Sequence, residues 1–301
     1  MIEFVFSESF LTSSISYALP IIFAAFAALI SNKANIISIN IEGSMSVAAL
    51  SGALASFYTQ SWLVGLLAAV LAGVGMSLLL ALAAIKLKTN TFLSGIALNT
   101  FASGMCVLVL FLALGVKGDS SMAPSVLIPQ IKIPLLAAIP VIGPTLFSQN
   151  LLFYVAIFGL VFLLFLLKRT RLGTMIRATG YNAEATASVG IRTDRVQVLA
   201  LVFCGIFCGL GGAYLSMANL GYFSANMVSG RGFIGIAAEA MGIGKPMLTL
   251  LFSWLFGAVD YFAVGGQTVI SAPYELLNTL PYIMTLAALL IYSATKKKHL
   301  R

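Results

Sequence analysis

Apolar residues run along this chain in long blocks, not in strand-like alternation. Nine blocks, at residues 11–30, 44–58, 63–85, 92–116, 151–167, 196–217, 232–242, 247–265 and 277–294, read as helices separated by polar or glycine-rich breaks. A helix crosses a hydrocarbon core in roughly 20 apolar residues, and shorter ones are tolerated where neighbours shield their ends. The pattern therefore predicts an all-α polytopic membrane protein. Its blocks at 44–58 and 232–242 are too short to cross alone and read as interrupted helices.

The breaks have an order of their own. Residues 32–42 form a polar turn, Gly43 opens a short helix, and a break and a long apolar helix follow; residues 219–231, Gly232 and the Gly244-Lys245-Pro246 break repeat that order. The two units start five helices apart, an odd number, so they would be related by inverted topology, a recurring transporter plan. The expected organisation is a single membrane domain over 1–301: a first repeat at 11–116, a linking helix at 151–167, a polar loop at 168–195, a second repeat at 196–294 and a basic tail at 295–301. Gly205, Gly209 and Gly212, near Cys204 and Cys208, have the small-residue spacing of helix packing.

Composition agrees with the pattern. Hydrophobic residues make up 60% of the chain, with a mean hydropathy of +1.04, against about 45–50% in soluble domains. A net charge of +8 in a soluble protein would suggest nucleic acid; here the cations sit in short connections, where they orient the chain in the lipid membrane. Six of the 17 basic residues fall within 168–195. Even numbers of helices separate Lys86 and Lys88, this loop, and the tail with Lys296 to Lys298 and Arg301, so all three clusters fall on the cytoplasmic side. The N-terminus then lies outside and the C-terminus inside. With Glu3, Glu8 and no early lysine, the start does not read as a cleavable signal. The 117–149 connection holds five of the nine prolines and is expected outside. It is either ordered by a docking partner, folded on the outer mouth, or a stiff connector without contacts.

Polar residues inside apolar blocks are the candidates for chemistry. Asn40 and Glu42 either support a helix break, the carboxylate favoured by a helix N-terminus, or line a pathway. Asn99 either bonds a neighbouring helix or faces a polar solute. Arg231, between Gly230 and Gly232, reads as capping carbonyls or anchoring at headgroups. Glu239 needs a partner such as Lys245 or a hydrated cavity. Asp260 lines a hydrated route or bonds a neighbour. Cys106, Cys204 and Cys208 read as packing residues without metal or disulfide spacing.

Several chemistries are missing from the sequence. The run from Glu239 to Pro246 fails the GxxxxGK[ST] pattern at its first glycine and its Ser/Thr position, so the chain is not expected to hydrolyse ATP itself. His299 is the one histidine, and there is no HExxH motif or nucleophile and base cluster. No metal, cofactor or catalytic residue is expected.

These motifs together resemble a known family. Residues 35–43 look like the Asn-x-x-Asn-[Ile/Leu]-x-x-Glu-Gly signature of inner-membrane permeases in the branched-chain amino acid, ribose and nucleoside group of ABC importers. Residues 86–99 are similar to the lysine-containing, strand-like turn followed by Ser-Gly-Ile-Ala-x-Asn of one sub-group. Gly173, Arg177, Ala178, Gly180, Asn182, Ala185, Gly190 and Ile191 match a Gly-x-x-x-Arg-Ala-x-Gly-x-Asn pattern extending to Gly-Ile, and Gly230 to Ile234 and Pro281-Tyr282 match further blocks. Thr186 replaces a common second alanine, and Glu239-Ala240 stands where apolar residues are expected.

The resemblance is strongest to the nucleoside sub-group linked to a basic membrane lipoprotein receptor, with riboflavin, sugars and other small solutes as variants. It implies a type II-like permease in the bacterial cytoplasmic membrane. A second homologous permease would share the pathway, ABC ATPase subunits would bind ATP and magnesium below, and a lipid-anchored or periplasmic substrate-binding protein would dock above. Arg177, Gly180, Asn182, Ala185, Gly190 and Ile191 would belong to the ATPase-coupling loop, as short helices at 172–179 and 183–189 with Gly180 in the turn and Asn182 as an N-cap. Asn40, Glu42, Asn99, Glu239 and Asp260 would be the substrate-pathway candidates. A transporter working without ATP is the alternative from another class.

Overall fold

A computed structural model describes residues 8–132 and 148–265, with the isolated positions 279 and 283. Helix α1 is Glu8–Lys33, α2 Ile41–Thr59, α3 Trp62–Ala81 and α4 Thr91–Leu114. Strands β1, Gln130–Lys132, and β2, Ser148–Asn150, lead to α5, Leu151–Arg169. Next come α6, Arg171–Tyr181, α7, Ala183–Ser188, α8, Thr193–Tyr214, α9, Arg231–Met241, and α10, Pro246–Gly265. Helices α1, α3, α4, α5, α8 and α10 are long and apolar enough to cross a membrane.

Each expected helix within the described residues coincides with one of these, and the last, at 277–294, lies outside them apart from helical Thr279 and Ile283. The boundaries moved for physical reasons. Helix α2 begins at Ile41, three residues before its apolar run, because the Ser44 amide already bonds the Asn40 carbonyl. Helices α3 and α8 each close with one wider π turn, Leu82–Lys86 and Leu215–Asn219. The lysine-containing turn after α3 is therefore helical up to Lys86, and only Lys88 takes a positive φ of 53°.

Helices α1 and α8 form the centre and are the most buried of the spans, whereas α4 is the least. Helix α1 packs on α8, α9 and α10, and α8 packs on α2 and α3. Backbones meet where side chains are small: a Cβ on Gly209 would lie 2.5 Å from Val70 Cα, and one on Gly205 2.5 Å from Val74 Cα. Such close approach is how helices associate when lipid offers as apolar an environment as a neighbouring helix. The rim residues Leu71 on α3, Leu112 on α4 and Phe158 on α5 are all exposed.

The described part of the 117–149 connection is held by its own chain. The Ser120 amide donates to Phe223 O at 2.8 Å, the Ala225 amide to Gly118 O at 2.8 Å, and the Ser125 hydroxyl to Ser216 O at 2.7 Å. Strands β1 and β2 then pair antiparallel, Gln130 opposite Asn150, and Asn150 caps α5 by accepting from the Leu152 amide. Of the three readings of this connection, a connector without contacts is the one these bonds remove.

Filling the α3–α8 contact should be costly. Gly209→Leu is expected to destabilise the protein by about 3 kcal/mol, the upper range for overpacking, read as a lower thermal midpoint in detergent. Gly104→Leu serves as the control because a Cβ there meets nothing within 4 Å. Equal midpoints for the two variants would contradict this packing.

Candidate functional site

The N-termini of α2 and α9 meet inside the bundle; α2, at 19 residues, is longer than the short interrupted helix expected there, and α9, at 11, is short. Glu42, in the first turn of α2, accepts from the Gly230 amide through Oε1 at 2.7 Å and from the Gly232 amide through Oε2 at 2.8 Å. Those amides open α9, which has no capping side chain of its own. A helix start leaves four donors unpaired, and in an apolar interior each needs a partner. The carboxylate satisfies two of them and lies at the positive end of the helix dipole.

This geometry explains the Gly-Arg-Gly block. Gly230 takes a φ of +82°, which suits glycine, while a Cβ on Gly232 would fall 2.7 Å from Glu42 Oε2. Arg231 between them turns to α10, where Nε and Nη2 donate to Asp260 Oδ2 at 3.2 and 3.1 Å. It also donates to Met227 O and lies over the Tyr17 ring. Arg231 thus caps one carbonyl, as expected, but its charge is paired inside the bundle instead of anchoring at headgroups. Of the two readings for Asp260, the neighbour bond is the one formed.

The start of α2 is supported in the same way. Asn99 on α4 accepts from the Gly43 amide at 2.8 Å and donates to Ile39 O at 3.0 Å. Asn40 is fully buried: it accepts from the Ser38 hydroxyl at 2.7 Å and donates to Ser44 Oγ and Met76 O. Asn40 is therefore not among the residues lining the cleft that Glu42 and Asn99 border. Ser46, Ser103 and Asn226 complete the polar lining of that cleft, which encloses about 90 Å3. In the sequence Ser103 reads only as a small packing neighbour of Asn99, and isolated residues such as Ser46 and Asn226 carry no signal of facing a common space.

Glu239 is elsewhere, near the other end of α9. It is 6% exposed and accepts from Asn32 Nδ2 at 2.6 Å, so its partner is Asn32 and not Lys245. It shares a cleft with Asn32, Lys33 and Gly244. Asn32 and Lys33 read in the sequence as part of a polar turn; the structure makes them the last turn of α1.

On the far side of Lys33 lies the polar loop. Thr170 caps α6 by accepting from the Gly173 amide, and Asn182 caps α7 by accepting from the Ala185 amide at 2.9 Å. Gly180 lies inside α6, not in a turn; its need for glycine is steric, since a Cβ would collide with Lys33 O. Gly190 takes φ +87° just after α7. One face of α6 is buried through Gly173 and Ile176, while Arg177, Tyr181, Ala185 and Val189 are exposed. Tyr181 and Val189 are 91% and 73% exposed. Among the described residues, no three His, Cys, Asp or Glu side chains group to hold a metal ion.

Comparison with known proteins follows the same lines. The family model for the branched-chain amino acid transport system permease component matches residues 10–289. The chain is 30% identical over 287 residues to the nucleoside ABC transporter permease protein NupC of Lactococcus lactis subsp. cremoris (strain MG1363), covering 92% of this chain and 89% of that protein. It is also 30% identical over 288 residues to the guanosine ABC transporter permease protein NupQ of Bacillus subtilis (strain 168), with the same coverages. A solved ABC transporter in an inward-facing conformation aligns with TM-score 0.55 and 15% identity over 97% of this chain and 88% of its own, a likeness of fold.

Removing the Glu42 cap tests the meeting of the two helices. Glu42→Ala strands two amide donors and should destabilise the protein by about 2–4 kcal/mol, whereas Glu42→Gln keeps an acceptor and should lose less. Denaturant titration of the purified protein measures both, and equal stability of Glu42→Ala and wild type would contradict the cap.

Proposed function

This chain belongs to the family of permease components of branched-chain amino acid transport systems, and from that premise we propose that it forms half of the translocation pathway of an ATP-driven nucleoside importer. It is an ABC transporter permease and a multi-pass membrane protein. The substrate class is carried by one observation: two relatives matching over 92% of this chain are named for nucleoside and guanosine transport. The cleft at Glu42 and Asn99, about 90 Å3 within this one chain, offers the hydrogen-bonding groups that a nucleoside's hydroxyls and ring nitrogens require, and a second permease would supply the facing wall.

In this reading a second permease, identical or related, completes the pathway, and a lipid-anchored or periplasmic binding protein delivers the solute. The basic clusters face the cytoplasm, with the N-terminus outside and the C-terminus inside. ABC ATPase subunits dock on α6 and α7 and supply the bound ATP and magnesium that this chain does not hold. Arg177, Ala185 and the exposed Tyr181 and Val189 form the docking face; Asn182, Gly190 and Ile191 keep the two short helices in register. ATP binding shifts access only because it favours one conformation of the assembly over the other.

Reconstitution with the cognate ATPase and binding protein should give guanosine uptake that requires ATP and is competed by other nucleosides. Uptake without ATP, or competition by sugars or flavins alone, would contradict the proposal. Arg177→Glu or Gly180→Leu should abolish uptake while the binding protein keeps its affinity. Normal ATP-dependent uptake in either would remove α6 and α7 as the docking element.

A further inference from the structure

We propose that the Asn32–Glu239 hydrogen bond is the positioning contact through which movement of α6 and α7 reaches α9 and the Glu42 cleft. The inference rests on reading α6 and α7 as the ATPase-docking element. Three contacts make a continuous route. First, α6 sits directly on the end of α1, with Gly180 against Lys33 O. Asn32, the adjacent residue, then holds the Glu239 carboxylate of α9 at 2.6 Å. Finally, α9 runs from Glu239 back to Gly232 and Gly230, whose amides are bound by Glu42 beside the cleft. Helix α9 is a single rod over that stretch, so a shift at one end is felt at the other.

A purely structural anchor would not need this chemistry. Helix α9 already packs on α1 through Gly235, where a Cβ would lie 2.5 Å from Ala24 Cβ. A carboxylate that is 6% exposed costs much more than an apolar side chain at the same place, and the short Asn32 bond with the attraction of the Lys33 ammonium in the same cleft offsets part of that cost. The acid also lies in a cleft separate from the one at Glu42, so it does not contact a solute held there. Lys33 lines both this cleft and the one shared by Arg177, Gly180 and Tyr181, which puts the junction directly between loop and helix.

The test uses the assembled transporter in proteoliposomes and reads uptake, ATP hydrolysis and ATP consumed per solute. Asn32→Asp places two carboxylates together and should lower uptake at least about tenfold while the ATPase still co-purifies and hydrolyses ATP. Glu239→Gln keeps an acceptor for Asn32 and should retain uptake. The double variant Asn32→Asp with Glu239→Gln reverses donor and acceptor and should restore both uptake and the ATP consumed per solute. Unimpaired uptake in Asn32→Asp, proportional loss of ATPase and uptake, loss of assembly, loss of uptake in Glu239→Gln, or failure of the double variant to recover would each overturn the inference. Arg177→Glu run in parallel separates the two readings: if it abolishes uptake and Asn32→Asp does not, only the Asn32–Glu239 contact fails; if Arg177→Glu transports normally, the docking reading itself fails.

Discussion

The Glu42 carboxylate is the joint on which this structure depends. A helix that begins within a membrane bundle exposes amide donors where no water is available to meet them. Helix α9 has no capping side chain of its own, and Glu42 reaches across from α2 to serve two of its donors. The neighbouring features follow from that geometry. Gly230 supplies the left-handed turn, Gly232 leaves room for the carboxylate, and Arg231 is free to pair with Asp260 on α10. On its own side, α2 is fixed by Asn99 and by the buried Asn40.

Tying the starts of α2 and α9 together gives the permease a compact polar centre within an apolar shell. Glu42 and Asn99 serve the backbone and also border the cleft, so any group entering it meets side chains that already have fixed positions. At the opposite end of α9, the last turn of α1 joins three elements. Lys33 O receives α6, Ala34 O accepts from Gln197 on α8, and Asn32 holds Glu239. Support of the helix starts and the border of the cleft are therefore supplied by the same residues.

Local physics was legible in the sequence and long-range physics was not. Apolar blocks located the helices because lipid demands continuous runs, and Asn182 was identifiable as a cap because its partner is three residues away. Glu42 also announced itself as a carboxylate at a helix start. Its acceptor role, however, is toward amides 188 and 190 residues distant, which no spacing rule reveals. Lys245 was the nearest cation to Glu239 in the chain, yet a residue 207 positions away is its partner. Gly180 looked like a turn glycine because turns and tight helix contacts select the same residue; only the position of Lys33 O distinguishes them. Asn32 and Lys33 were hidden by the boundary of α1, which continues through polar residues because α9 and α6 hold its end.

Hydrogen exchange at the Gly230 and Gly232 amides tests the joint most directly. In the purified permease both should exchange as slowly as amides in the middle of α8, and substitution of Glu42 by alanine should bring both to the rate of an open loop. Loop-rate exchange in the wild-type protein, or unchanged protection after the substitution, would contradict the account.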